Sequence, residues 1–120
     1  MSAVFLGDYI VDATLIVKPV NTVALVGTSV QLNCRTDQSG SPGRIVWSLR
    51  KPDTTGVVIV NWNCKPNPSY PQYSVNSHSA GRCDLVINNA SLELAARYWC
   101  YDDDDFPDHR ADAELTVVGE

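Results

Sequence analysis

A chain of 120 residues with 44% hydrophobic side chains is long enough for one core and too apolar to stay disordered. Its formal net charge of −5 excludes the basic footprint that nucleic-acid binding needs. No run reaches the roughly 18 apolar residues of a membrane span, so no direct membrane insertion by this segment is expected.

Residues 1–10 lack a basic segment and include Asp8, which makes a poor signal peptide. Residues 1–13 read as an N-terminal extension, residues 14–118 as one folded domain, and residues 119–120 as the start of a linker. From there, short runs rich in β-branched residues recur between turn residues, the pattern of an all-β sandwich. They cover residues 14–17, 22–26, 29–34, 44–50, 57–62, 73–76, 84–88, 97–101 and 113–118. Alternation is clearest at Val30-Gln31-Leu32-Asn33-Cys34, where the apolar set falls on one face. Leu85 and Ile87 take the same inward role. Residues 61–72 hold Pro66, Pro68 and Pro71, each lacking a ladder donor, so an irregular excursion or an edge is expected there.

Four cysteines, Cys34, Cys64, Cys83 and Cys100, stand at wide spacings. Zinc sites favour close pairs, which are absent here, so two disulfides and an oxidising compartment are the better reading. Spacing alone leaves three connectivities open.

Several motifs carry a family resemblance. Val26-Gly27-Thr28-Ser29-Val30-Gln31-Leu32-Asn33-Cys34 is followed 13 residues on by Trp47. Trp47-Ser48-Leu49-Arg50-Lys51-Pro52-Asp53 and Leu85-x-Ile87 follow, then Tyr98-Trp99-Cys100. Together these resemble strands B, C, E and F of immunoglobulin variable-type domains. The resemblance implies an immunoglobulin-like Greek-key β-sandwich of V type with about nine strands. It implies that Cys34 and Cys100 join the two sheets, with Trp47 packed on the bridge. It also implies that Tyr98 ties the E–F turn to the backbone. Cys64 is then left to pair with Cys83.

Two departures from the family pattern stand out. Leu94 occupies the place of the usual aspartate before strand F, and its basic partners are also missing, Leu49 standing at one of their positions. Losing all members of a buried charged set together is energetically consistent. His109-Arg110-Ala111-Asp112 replaces the F-G-x-G of antigen-receptor joining segments, so the glycine-dependent bulge there should be missing. This argues against a literal antigen receptor and leaves an immune-type receptor or adhesion protein.

Two surfaces are candidates for binding. If Tyr98 and Cys100 point inward, Trp99 and Tyr101 point outward; if Trp47 points inward, Ser48 and Arg50 point outward. Trp99, Tyr101, Arg50 and Ser48, with Trp62 nearby, are expected to share an exposed C–F face, and Trp, Tyr and Arg are interface hot-spot types. The other candidate is the loop end, above all Asp102, Asp103, Asp104 and Asp105 with Phe106 at an apolar tip. These carboxylates suit a basic partner, or Ca²⁺ only with ligand spacing and a turn glycine that the run lacks. Asn89-Ala90-Ser91 is an N-glycosylation sequon in the E–F turn, away from both surfaces.

His78 and His109 are the two histidines, and neither stands in a catalytic arrangement. No cofactor motif or metal site is implied, and the chain is not expected to be an enzyme. The leading expectation is an extracellular recognition domain, cell-surface or secreted, whose partner is a protein ligand or another V-type domain. Homodimerisation through the C–F face is one form of this. The competing readings are a homophilic adhesion domain and a metal-dependent lectin-like module.

Overall fold

The computed structural model describes residues 15–36, 45–77, 81–102 and 110–119. Among them are eleven strands and one short 3-10 turn, Leu92–Leu94. The larger sheet has six strands in the order β2 (Thr22–Leu25), β11 (Arg110–Val118), β10 (Ala96–Asp102), β5 (Ile45–Arg50), β6 (Val58–Trp62) and β7 (Lys65–Pro66). The smaller has β3 (Val30–Leu32), β9 (Asp84–Ile87) and β8 (Tyr73–Asn76). β1 (Leu15–Val17) pairs with β4 (Arg35–Thr36). The chain therefore crosses between β1 and β2, where Pro19 offers no ladder donor. The Asn21 side chain accepts from the Glu114 N–H at 2.8 Å and holds the crossing against β11. β2 then runs parallel to β11.

Apolar residues alternating along the strands fill the space between the sheets. Along β11 every second residue is buried: Ala111, Ala113, Leu115 and Val117. Trp47, Tyr98, Leu85 and Ile87 are completely buried in the core. Disulfides Cys34–Cys100 and Cys64–Cys83 both form. The first closes a separation of 66 residues and the second one of 19. In the chain-entropy account these are worth about 4 and about 3 kcal/mol. Leu49 and Leu94 lie in the core cluster, so apolar packing occupies the places the sequence had emptied of charge.

The corner before β10 is fixed by two phenols. The Tyr98 hydroxyl donates to the Leu94 carbonyl at 2.6 Å. Its only proton is thereby used, so at the 2.8 Å contact between the hydroxyls Tyr73 is the donor. Burial raises both phenols above their ordinary pKa, Tyr98 far above it, with repulsion from the Tyr73 charge adding to the effect at Tyr98.

Three local features depart from the simple strand pattern. The strand expected over residues 29–34 stops as β3 at Leu32, and pairing resumes only at β4, because the Asp84 carboxylate takes the Cys34 N–H at 3.0 Å, removing a ladder donor. Residues 61–72 include a short edge hairpin: Trp62 pairs with Lys65 across Asn63 and Cys64, both at positive φ (59° and 53°). Positive φ at both central residues is the two-residue hairpin turn. Asn tolerates it, and Cys64 is held there by its bridge to Cys83. Finally, β10 and β11 pair in unbroken register from Ala96↔Leu115 to Tyr101↔Arg110, with no bulge.

Candidate recognition face

The β5–β10 ladder sets which side chains share a face. Trp47↔Cys100 and Leu49↔Tyr98 point into the core, so the intervening pairs Val46↔Tyr101, Ser48↔Trp99 and Arg50↔Arg97 point away from it. The Arg50 guanidinium lies over the Trp99 ring, 5.5 Å from its centroid, a cation–π distance. On β10, Arg97 is ion-paired with Asp112 and, at 3.8 Å, with Glu114 of β11. These are half-exposed groups and add little stability, but they settle the charge of Arg97.

Trp62 reaches this side through a bulge. The β5–β6 register runs Trp47↔Asn61 and then Ser48↔Ile59, leaving Val60 as the extra residue. Asn61 faces the core opposite Trp47, so Trp62 turns outward, where it is 47% exposed. The Asn61 side-chain carbonyl accepts the Trp47 backbone N–H at 3.3 Å.

A cleft of about 290 Å³ opens on this face, lined by Ser48, Arg50, Val57, Trp99, Tyr101 and Arg110. The expectation of one evenly exposed face needs correction. Ser48 and Tyr101 lie on the outer side, yet only 3% and 7% of their surfaces are exposed. Strand alternation fixes the side a residue points to, and not what covers it. Arg50 and Trp62 are exposed, and Trp99 is half-buried. Ile59 and Val57 add exposed apolar surface.

Val57 and Arg110 were not among the sequence candidates. Arg110 could have been found: it precedes Ala111 in a strand whose odd positions point inward, which turns it to the outer face. Val57 lies just outside β6 in an apolar run without alternation, and no periodic signal marks it.

Of the acidic loop, only the backbone of Asp102 is described, where it closes β10 opposite Ile45. Asp103, Asp104, Asp105 and Phe106 lie outside the described residues, as do His78 and His109. Among the described residues no cluster of His, Cys, Asp or Glu is arranged to hold a metal ion. Asn89 is exposed in the connection from β9 to the 3-10 turn, at the pole where β10 begins, opposite the pole of Asp102.

The architecture, both disulfides, the buried tryptophan and the tyrosine corner belong to one established pattern. The chain matches the immunoglobulin V-set domain over residues 17–118, most of its length, and it belongs to that family.

Proposed function

We propose that this domain recognises a protein partner through the outer face of the β10–β5–β6 sheet, on the extracellular side of a membrane or in secretion. V-set domains are generally recognition or adhesion modules without catalytic activity. The observation that carries the choice of face is the Arg50–Trp99 contact at the rim of a cleft with exposed Val57, Ile59 and Trp62 beside it. Aromatic and arginine anchors among apolar neighbours are the usual make-up of an interface centre. Two disulfides fit an oxidising compartment. An N-glycan on Asn89 would leave the face open.

The test uses the domain as a labelled multimer on a panel of cells. Trp99→Ala and Trp62→Ala should each weaken surface binding about tenfold or more, with melting temperature unchanged. Binding that survives both substitutions, and is lost when Asp103–Asp105 are neutralised, would move recognition to the loop end.

Self-pairing uses the same surface. Solution mass over a dilution series separates the two: a dimer that dissociates on dilution and is weakened by Trp99→Ala is homophilic, and a monomer throughout directs the search to a foreign ligand.

A further inference from the structure

The two arginines that face each other across the β5–β10 ladder are in unlike situations. Arg50 and Arg97 are directly opposite, an arrangement of like charges that is unfavourable on its own. Arg97 is neutralised by Asp112 and Glu114. Arg50 has no ion pair with any described carboxylate; it rests on Trp99 at the mouth of the cleft. A ring attracts a guanidinium but accepts little from its N–H groups, so five donors remain to be placed. In a chain of net charge −5, this is an outward, exposed cation held in position by a neighbouring aromatic. Ser48, directly opposite Trp99, lines the same cleft and brings a hydroxyl donor to it.

We propose that Arg50, held by Trp99, is the docking point for a carboxylate side chain of a partner protein. The inference rests on the recognition face proposed above and names its chemistry. A guanidinium fork matches a carboxylate with two parallel hydrogen bonds. A cleft of about 290 Å³ takes one such side chain. The exposed apolar shoulder of Val57, Ile59 and Trp62 suits the drier surroundings of a protein interface better than a hydrated acidic sugar.

The experiment titrates the isotope-labelled domain with N-acetyl-glutamate N-methylamide at millimolar concentration, following the Trp99 indole and Arg50 side-chain signals. The glutamine analogue and N-acetylneuraminic acid are titrated in parallel. The glutamate probe should shift both signals saturably and the glutamine analogue should not. Arg50→Gln should weaken the response at least tenfold, and Arg50→Lys, which keeps charge and loses the fork, should weaken it severalfold. Equal responses to glutamate and glutamine, no response to glutamate, or an unchanged response in Arg50→Gln would each overturn the proposal. A response to the sugar acid alone would overturn the protein source. The recognition face itself is judged separately, by the effects of Trp99→Ala and Trp62→Ala on cell binding, so either reading can fail without the other.

Discussion

The Trp47 indole N–H donates to the carbonyl of Cys83 at 2.9 Å. Cys83 also donates its own N–H to the Cys34 carbonyl at 2.9 Å and shares a disulfide with Cys64. One residue thus connects the core tryptophan, the strand carrying the inter-sheet disulfide and the edge hairpin. All of these groups are buried, so none of the bonds can be exchanged for water without cost.

Trp47→Phe keeps an aromatic ring in the core but leaves the Cys83 carbonyl without its donor and opens a cavity. An unsatisfied buried acceptor costs about 1–3 kcal/mol, and the cavity adds to it. The expected loss is about 3 kcal/mol in equilibrium denaturation with both disulfides intact, read as a lower midpoint at unchanged slope. A loss below about 1 kcal/mol would mean that the indole bond contributes almost nothing.

Cys64→Ala with Cys83→Ala removes the bridge that spans 19 residues and leaves Cys34–Cys100 in place. The expected loss is about 3 kcal/mol. It should be accompanied by faster amide exchange at Trp62–Lys65, because residue 64 is then held at positive φ only by its backbone N–H bond to the Ile45 carbonyl and the short ladder. Unchanged exchange in that hairpin would show that the turn is fixed by Asn63 and the ladder alone.

Much of this architecture is legible in the residues, and the gaps have identifiable causes. Val30-Gln31-Leu32 declares its faces through alternation, whereas the Cys34, Trp47, Tyr98 and Cys100 set is legible through the family resemblance, since spacing alone leaves three cysteine connectivities open. The outward turn of Trp99 and Arg50 follows from parity alone. The position of Trp62 does not, since the bulge at Val60 sits in an apolar run where nothing marks the extra residue. The two-residue strands β4 and β7 were invisible because pairing at that length is decided by the neighbouring strand. Tyr73 offered no signal as the donor to Tyr98: only the fold brings β8 against that corner.

The two phenols make stability pH-dependent at the alkaline end. Below the ordinary tyrosine value of 10.0, both folded and unfolded chains keep these protons and the contribution is complete. Above it the unfolded chain releases protons that the folded chain retains, so stability falls as pH rises. Tyr98→Phe should cost about 1–3 kcal/mol at neutral pH, since both Leu94 O and Tyr73 OH lose a partner. The alkaline decline should be shallower in that variant, because one of the two raised groups is gone. Melting temperatures between about pH 7 and pH 11 check both parts; a parallel decline in wild type and variant would contradict the assignment.

Asp84 is a buried carboxylate whose acceptor capacity is used by three different donors. It accepts from the Cys34 N–H at 3.0 Å, the Gln31 side-chain amide at 3.2 Å and the Arg82 guanidinium at 2.5 Å. Asp84→Asn preserves the shape and the bond to Cys34 but turns an amide N–H₂ toward two donors. The expected cost is about 2–4 kcal/mol. Arg82→Gln should cost less, because its side chain is 39% exposed and water can take over its hydrogen bonds. Combined, the two substitutions should fall short of additivity by about 1 kcal/mol, since the second removes a partner the first has already lost. The measurement is equilibrium denaturation of the four proteins in the cycle. Additive losses would mean that Arg82 acts independently of Asp84, and that the carboxylate is retained for the strand junction at Cys34 alone.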